Sequence, residues 1–418
     1  MGLPSGWQTP KTNWDYYDFL DPTSLNRIEN NLQAIELGLR GINQYKSLSS
    51  SNVSLTDFVD YVATLIRLIT GETNWIDSPQ ITLKTLNQLT SIDNLDFCRM
   101  FLYHALVDYD KYIDLDVYES ITSNKFSGLA LARGTIVFIP KSLSYALTFN
   151  PATNTTGVIN VSGGTDYWRG GAGYNGKIYC APYNSDKILI IDIKTNGVSY
   201  LTIPDVGATS GRFWGAIERN GKVYFIPHNA TKVLVLDTSN NSMYTLGSLT
   251  GTAQYAGGAL AKGIIYCAPY DSTSILKIAS DDTLTTVGSI SGSAKYVGAA
   301  ASLDQTYVYF APYNATNILC LNVDSIATTT VPVQVTSGAF WGITVLPNGK
   351  FLLIPHNNSS ALYFVPPSTV QEITISSDTN KFCGGIVWLD GKVYMAPCNY
   401  SKIGSVYGVQ YVVFDHQT

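Results

Sequence analysis

A seven-bladed β-propeller is predicted by two periodicities in this 418-residue chain. The first is a proline that recurs at Pro140, Pro182, Pro227, Pro269, Pro312, Pro355 and Pro397, at intervals of 42, 45, 42, 43, 43 and 42 residues. The second is an aromatic-x-Gly triplet upstream of each proline, at Phe126/Gly128, Trp168/Gly170, Phe213/Gly215, Tyr255/Gly257, Tyr296/Gly298, Phe340/Gly342 and Phe382/Gly384. A unit of about 40 to 45 residues holding four short strands cannot bury its own faces and is stable only when packed against copies of itself. The expected fold class is therefore mainly β, with four-stranded antiparallel blades, preceded by an α-helical N-terminal region.

Three segments are expected: an attachment segment at 1–46 with a helix over 23–42, a helical linker at 47–115 and the propeller at 116–418. In the first, Leu25, Ile28, Leu32, Ile35, Leu39 and Ile42 alternate in steps of three and four, the a/d spacing of a coiled-coil seam. The same stripe also suits a single amphipathic helix lying on a neighbouring core. If it is a seam, Leu25, Ile28, Leu32, Ile35 and Leu39 meet on a threefold axis, because isoleucine at d disfavours two strands. Further helical periodicity covers Leu55 to Thr70 and about Leu83 to Ile113. Neither stretch is long enough in apolar residues to cross a membrane.

One blade shows how the strands are read. Gly215 to Glu218 is the inner strand, Asn220-Gly221 a tight hairpin turn, and Lys222 to Ile226, Lys232 to Asp237 and Met243 to Gly247 the next three strands. Asn175-Gly176, Asn348-Gly349 and Asp390-Gly391 repeat the turn signal. The proline ends the second strand because it has no N–H to give to a ladder. The glycine is expected near the crowded axis. Ring closure is assigned to Val117–Thr122, which would pair with Val409–Asp415 as the missing fourth strand of the last blade.

Composition excludes several functions. A net charge of -5 with 14% charged residues gives no basic face for nucleic acid. The opening MGLPSGWQTP has neither a basic n-region nor an apolar h-region, so no signal peptide is expected. The six cysteines show no metal-ligand spacing; Cys180 and Cys267 share one repeat position and read as buried free thiols. No metal or cofactor is expected. Hydrolase motifs are absent, the single GxGxxG at 171–176 runs into a hairpin rather than a helix, and carboxylates are scarce, so the chain reads as a non-enzyme.

Because strands alternate direction, aromatic-x-Gly and Pro-x-Asn gather on one rim. The repeated Asn is expected to bond its own turn. Blade-specific residues then mark a candidate ligand site: Trp168, Arg169, Tyr183, Trp214, His228, Tyr270, Asp271, Tyr313, Trp341 and His356. The two tryptophans in the middle of the triplet, Trp214 and Trp341, coincide with the two histidines after the proline, which fits either one packing solution used twice or an aromatic platform for sugar rings or a protein loop. The opposite face, where Arg219 to Lys222 would project, is the alternative site.

The residues Pro10-Lys-Thr-Asn-Trp14 and Leu25-Asn-Arg-Ile-Glu-Asn30 resemble the opening of tail-fibre and baseplate-attached proteins of phages and phage-like elements of Gram-positive bacteria. The resemblance covers about the first 40 residues, with Ser24 where that family commonly has Asp. It implies a receptor-binding protein at the tail or baseplate tip of a virion or phage-tail-like particle, a homotrimer whose partners are tail proteins and a bacterial surface receptor, cell-wall polysaccharide or surface protein. A structural baseplate spacer and a free carbohydrate-binding lectin are the alternatives.

Overall fold

Each repeat places β-branched and aromatic residues on alternate sides of short strands, so both faces of its sheet are apolar and both must be covered. The computed structural model describes residues 111–115, as backbone, and 125–407, save 336, 347, 348, 368, 389 and 390. Within these residues the chain forms seven antiparallel sheets of four strands, each in the order A-B-C-D. In blade 3 these are Phe213–Arg219, Lys222–Pro227, Val233–Asp237 and Met243–Leu246, within one or two residues of the sequence reading. No helix occurs among the described residues. The helices expected at 23–42, 55–70 and 83–110 lie outside them.

Closure uses the expected device with different strands. Lys111–Leu115 is the fourth strand of blade 7 and pairs antiparallel with Ile403–Tyr407, from Lys111↔Tyr407 to Leu115↔Ile403. Residues 111–113 are therefore strand, not the end of a helix, and the propeller begins before residue 116. The segments 117–122 and 409–415 lie outside the described residues. The sequence misled because strand C of this blade reads IGSVY. Its Gly and Ser weaken the strand signal that the later VQYVVF appeared to supply.

The first aromatic of every triplet wedges between blades. Trp168 packs with Val137 and Ile139 of blade 1 and with Cys180 and Leu189 of its own blade. Phe213 does the same between blades 2 and 3. Just after each wedge, strand A carries a β-bulge, as between Phe213 and Ala216, where one extra residue faces strand B. The glycine of the triplet occupies the bulge at positive φ in all seven blades. A Cβ added to any of the seven would lie 2.9–3.8 Å from the Cα of the glycine in the next blade, and the seventh meets the first. Seven glycines thus form a closed collar around the axis, too tight for a side chain at five positions and closed to one by positive φ at Gly342 and Gly384.

In four blades the Asn after the proline bonds a neighbouring blade's loop rather than its own turn. Its side-chain oxygen accepts from a left-handed residue in the loop leading to the next blade: Asn184 from Gly211 N (3.0 Å), Asn229 from Ala253 N (2.8 Å), Asn314 from Gly338 N (2.9 Å) and Asn357 from Asn380 N (2.9 Å). A second set of links runs through the backbone, each post-proline carbonyl accepting from the following blade, and Lys125 N→Cys398 O at 3.1 Å joins blade 7 back to blade 1. The repeated polar residue is an inter-blade clamp, fixing the loop that enters the next blade alongside these backbone links.

Candidate functional site

Two positions per blade point into the axial mouth above the glycine collar: the middle residue of the triplet, turned inward by the bulge, and the residue after the proline. In chain order the pairs are Ser127/Lys141, Arg169/Tyr183, Trp214/His228, Ala256/Tyr270, Val297/Tyr313, Trp341/His356 and Cys383/Cys398. In blades 3 to 6 the small middle residues Ala256 and Val297 go with tyrosine and the two tryptophans with the smaller histidine ring, a partial size exchange that blades 1, 2 and 7 do not follow. Trp214, Ala256 and Val297 form a buried floor, against which Tyr183, Tyr270, Tyr313 and Trp341 pack half-buried.

The rings touch in series. Trp214 and Trp341, three blades apart, meet across the axis with centroids 5.0 Å apart. His228 lies 5.0 Å from Trp214, and His356 4.5 Å from Trp341. Tyr270 bridges Trp214 (5.5 Å) and Tyr313 (6.0 Å). Tilted and edge-on contacts at these spacings are the favoured aromatic geometry.

Arg169 supplies the charge. Its guanidinium lies 3.8 Å from the Tyr183 ring centre and 4.4 Å from that of Trp214. Nε and Nη2 donate to the two carboxylate oxygens of Asp166 at 2.9 and 2.6 Å. Burial opposes the charge on Arg169, but the Asp166 hydrogen bonds and charge outweigh it and raise the pKa above the ordinary value. Burial also raises the phenols, Tyr270 to about 12.

Both histidines are held as neutral imidazoles. His228 Nδ1 lies 3.0 Å from Tyr255 O and His356 Nδ1 2.9 Å from Phe382 O; a carbonyl only accepts, so Nδ1 carries the proton and Nε2 keeps a lone pair. Burial lowers both pKa values to about 4.

Of the ten residues singled out from the sequence, eight converge here. Trp168 does not. It is 1% exposed in the interface between blades 1 and 2, and its Nε1 donates to Lys187 O at 3.0 Å, which makes it a wedge rather than a rim residue. Asp271 does not either: it sits where other blades have the clamp Asn, and its carboxylate accepts from Ala294 N at 2.6 Å. The opposite face is also changed, because Arg219 is buried there instead of projecting. Sequence reasoning missed Lys141, Cys383 and Cys398, although repeat position alone would have placed them. It also missed Asp166, whose loop position is otherwise filled by small residues or Asn and gives no charge signal. A second depression, an open groove of about 470 Å³ formed by blade 5 and the connector that enters it, is lined by hydroxyls and amides such as Ser289, Ser291, Thr316 and Thr330, its one aromatic residue, Tyr296, being buried.

No protein-family model and no curated protein matches this sequence. Solved structures do share the fold. A streptogramin B lyase superposes with a TM-score of 0.64 at 16% identity, over 72% of this chain and 98% of that one. Virginiamycin B lyase from Staphylococcus aureus gives 0.59 at 15% identity, over 72% and 100%. The extracellular domain of a one-component system from B. thetaiotaomicron gives 0.54 at 10% identity, over 71% and 40%. These likenesses define a seven-bladed propeller and nothing finer. They also overturn the expectation of a non-enzyme, since the lyases are enzymes built on this architecture: missing hydrolase motifs do not exclude catalysis on it.

Proposed function

We propose that the axial mouth is a ligand site and that the chain is the receptor-binding protein of a phage or phage-tail-like particle. In this reading residues 1–46 dock on tail or baseplate proteins as a trimer and the propeller engages a polymer or protein on the surface of a Gram-positive cell. The observation that carries the binding claim is the half-buried aromatic wall of Tyr183, Tyr270, Tyr313 and Trp341 around a paired guanidinium, a surface that stacks sugar rings or a planar side chain and offers few charges. The N-terminal resemblance supports the particle context, and a trimer would multiply a weak single-site affinity.

Adsorption of the full-length protein to Gram-positive cells and to extracted cell-wall polymer tests this. Trp341→Ala should weaken adsorption by roughly 1 to 3 kcal/mol, about fivefold to 150-fold. The melting temperature read in parallel separates site from scaffold. Unchanged adsorption with lowered melting would remove the mouth as the site.

A catalytic reading of the same mouth is favoured by one observation. His228 and His356 present neutral imidazoles with fixed tautomers, the state required of a general base. Covalent change in the bound polymer, followed by mass spectrometry, distinguishes turnover from binding.

A further inference from the structure

Blade 7 differs from the other six in having thiols at both axial positions. Cys383 is the middle residue of the triplet and Cys398 follows the proline. These are the two positions whose side chains approach to 5.0 Å in blade 3 and 4.5 Å in blade 6, there as Trp and His rings. In blade 7 the two thiols lie close enough to perturb each other, and the S–H of Cys383 is directed at backbone oxygens, Phe126 O of blade 1 at 2.9 Å and Ala396 O at 3.6 Å, which fixes its position.

We propose that Cys383 and Cys398 form a redox-active dithiol in the wall of the axial mouth, converted by a peroxide into an intramolecular disulfide. Cys398 is the attacking sulfur: it is 4% exposed, on the mouth, and the cationic side chains of Lys141 and Arg169 favour its thiolate against burial and the charge of Asp166. The neighbouring Cys383 thiol and those two cations outweigh burial and lower its thiol pKa, whereas burial prevails at Cys180, Cys267 and Cys383 and raises theirs. The Cys398 thiolate attacks one oxygen of the peroxide, the O–O bond breaks, and with one proton taken up water leaves and a sulfenic acid remains on Cys398. The Cys383 thiol then attacks Sγ of Cys398, the S–O bond breaks and a second water leaves. Two thiols lose two electrons to one peroxide, and the net products are one disulfide and two waters. Cys180, Cys267 and Cys320 sit in the walls between other blades, away from a second sulfur at an axial position.

Native full-length protein treated with stoichiometric hydrogen peroxide tests this by intact mass and non-reducing peptide mapping. The expected result is a loss of about 2 Da with a Cys383–Cys398 linked peptide. Cys383→Ser should arrest the reaction at the sulfenic acid, about 16 Da heavier and trapped by dimedone on Cys398, while Cys398→Ser should leave Cys383 unmodified. A disulfide involving any other cysteine would overturn the proposal. So would a native chain whose Cys398 stays reduced while the urea-unfolded chain oxidises.

Discussion

At the scale of single residues, the two axial histidines link the mouth to stability. Each is folded with a pKa of about 4 against 6.5 for an unperturbed imidazole, lowered chiefly by burial. The unfolded chain therefore binds more protons than the native one between these values. Stability is full above pH 6.5 and falls as pH drops toward 4, by up to about 3 kcal/mol for each histidine. Asparagine places an amide nitrogen where Nδ1 stands and cannot titrate, so the double variant His228→Asn, His356→Asn should show a flatter decline in urea stability from pH 7 to 4.5 than the wild type. Equal slopes would mean that the imidazoles are not desolvated as described. The sequence showed that these histidines accompany tryptophans, but not why. The steric exchange of Trp/His for small/Tyr appears only once the bulge turns the triplet's middle residue inward beside the post-proline side chain.

At the scale of elements, neighbouring blades are joined on the two faces by different chemistry. Toward the mouth the join is the Asn clamp and its backbone links. On the opposite face, blades 3 and 4 share a buried cluster in which Arg219 donates to Gly263 O, Ile278 O and Ala279 O at 2.8–3.2 Å and to Asp282 at 2.6 Å. The hydroxyls of Tyr224 and Tyr244 donate to the two oxygens of Asp282, each at 2.7 Å. A buried charge with all partners in place adds modestly, but one stripped of its partner is costly. Arg219→Ala should accordingly lower unfolding free energy by about 2 to 3 kcal/mol, because it takes the charged partner from Asp282, which keeps only the two tyrosine hydroxyls and partial solvent access, and a donor from three carbonyls. Adding Asp282→Ala should recover part of that loss; a single-variant cost below about 1 kcal/mol would show the cluster to be solvated. Strands A to D of blade 3 were legible in the sequence, since Asn220-Gly221 marks the hairpin and the proline marks the end of strand B. The hairpins at Arg133-Gly134 and Lys262-Gly263 were not, because Arg and Lys give no turn signal, although both take up positive φ there. The Arg219 cluster was equally hidden: its partners lie up to 63 residues away, and an arginine beside a turn normally reads as solvent-facing.

At the scale of the whole molecule, the devices that close the ring include the glycine collar, the backbone link Lys125 N→Cys398 O, and the strand Lys111–Leu115 laid on Ile403–Tyr407. The first two join blade 7 to blade 1 near the axis and belong to residues after 124. The third lies at the perimeter and belongs to the segment that leads back to the N-terminal region, so any force on that segment reaches the propeller through one antiparallel ladder of five residue pairs. A chain starting at residue 116 keeps the axial contacts but leaves Ile403–Tyr407 as an uncovered edge, and an unpaired edge strand recruits another chain. It should melt lower than a chain starting at residue 105 and form dimers or larger species in light scattering at concentrations where the longer chain stays monodisperse. If the two chains match in melting temperature and in size, the axial contacts alone hold the ring, and the N-terminal strand serves to tether the propeller rather than to complete it.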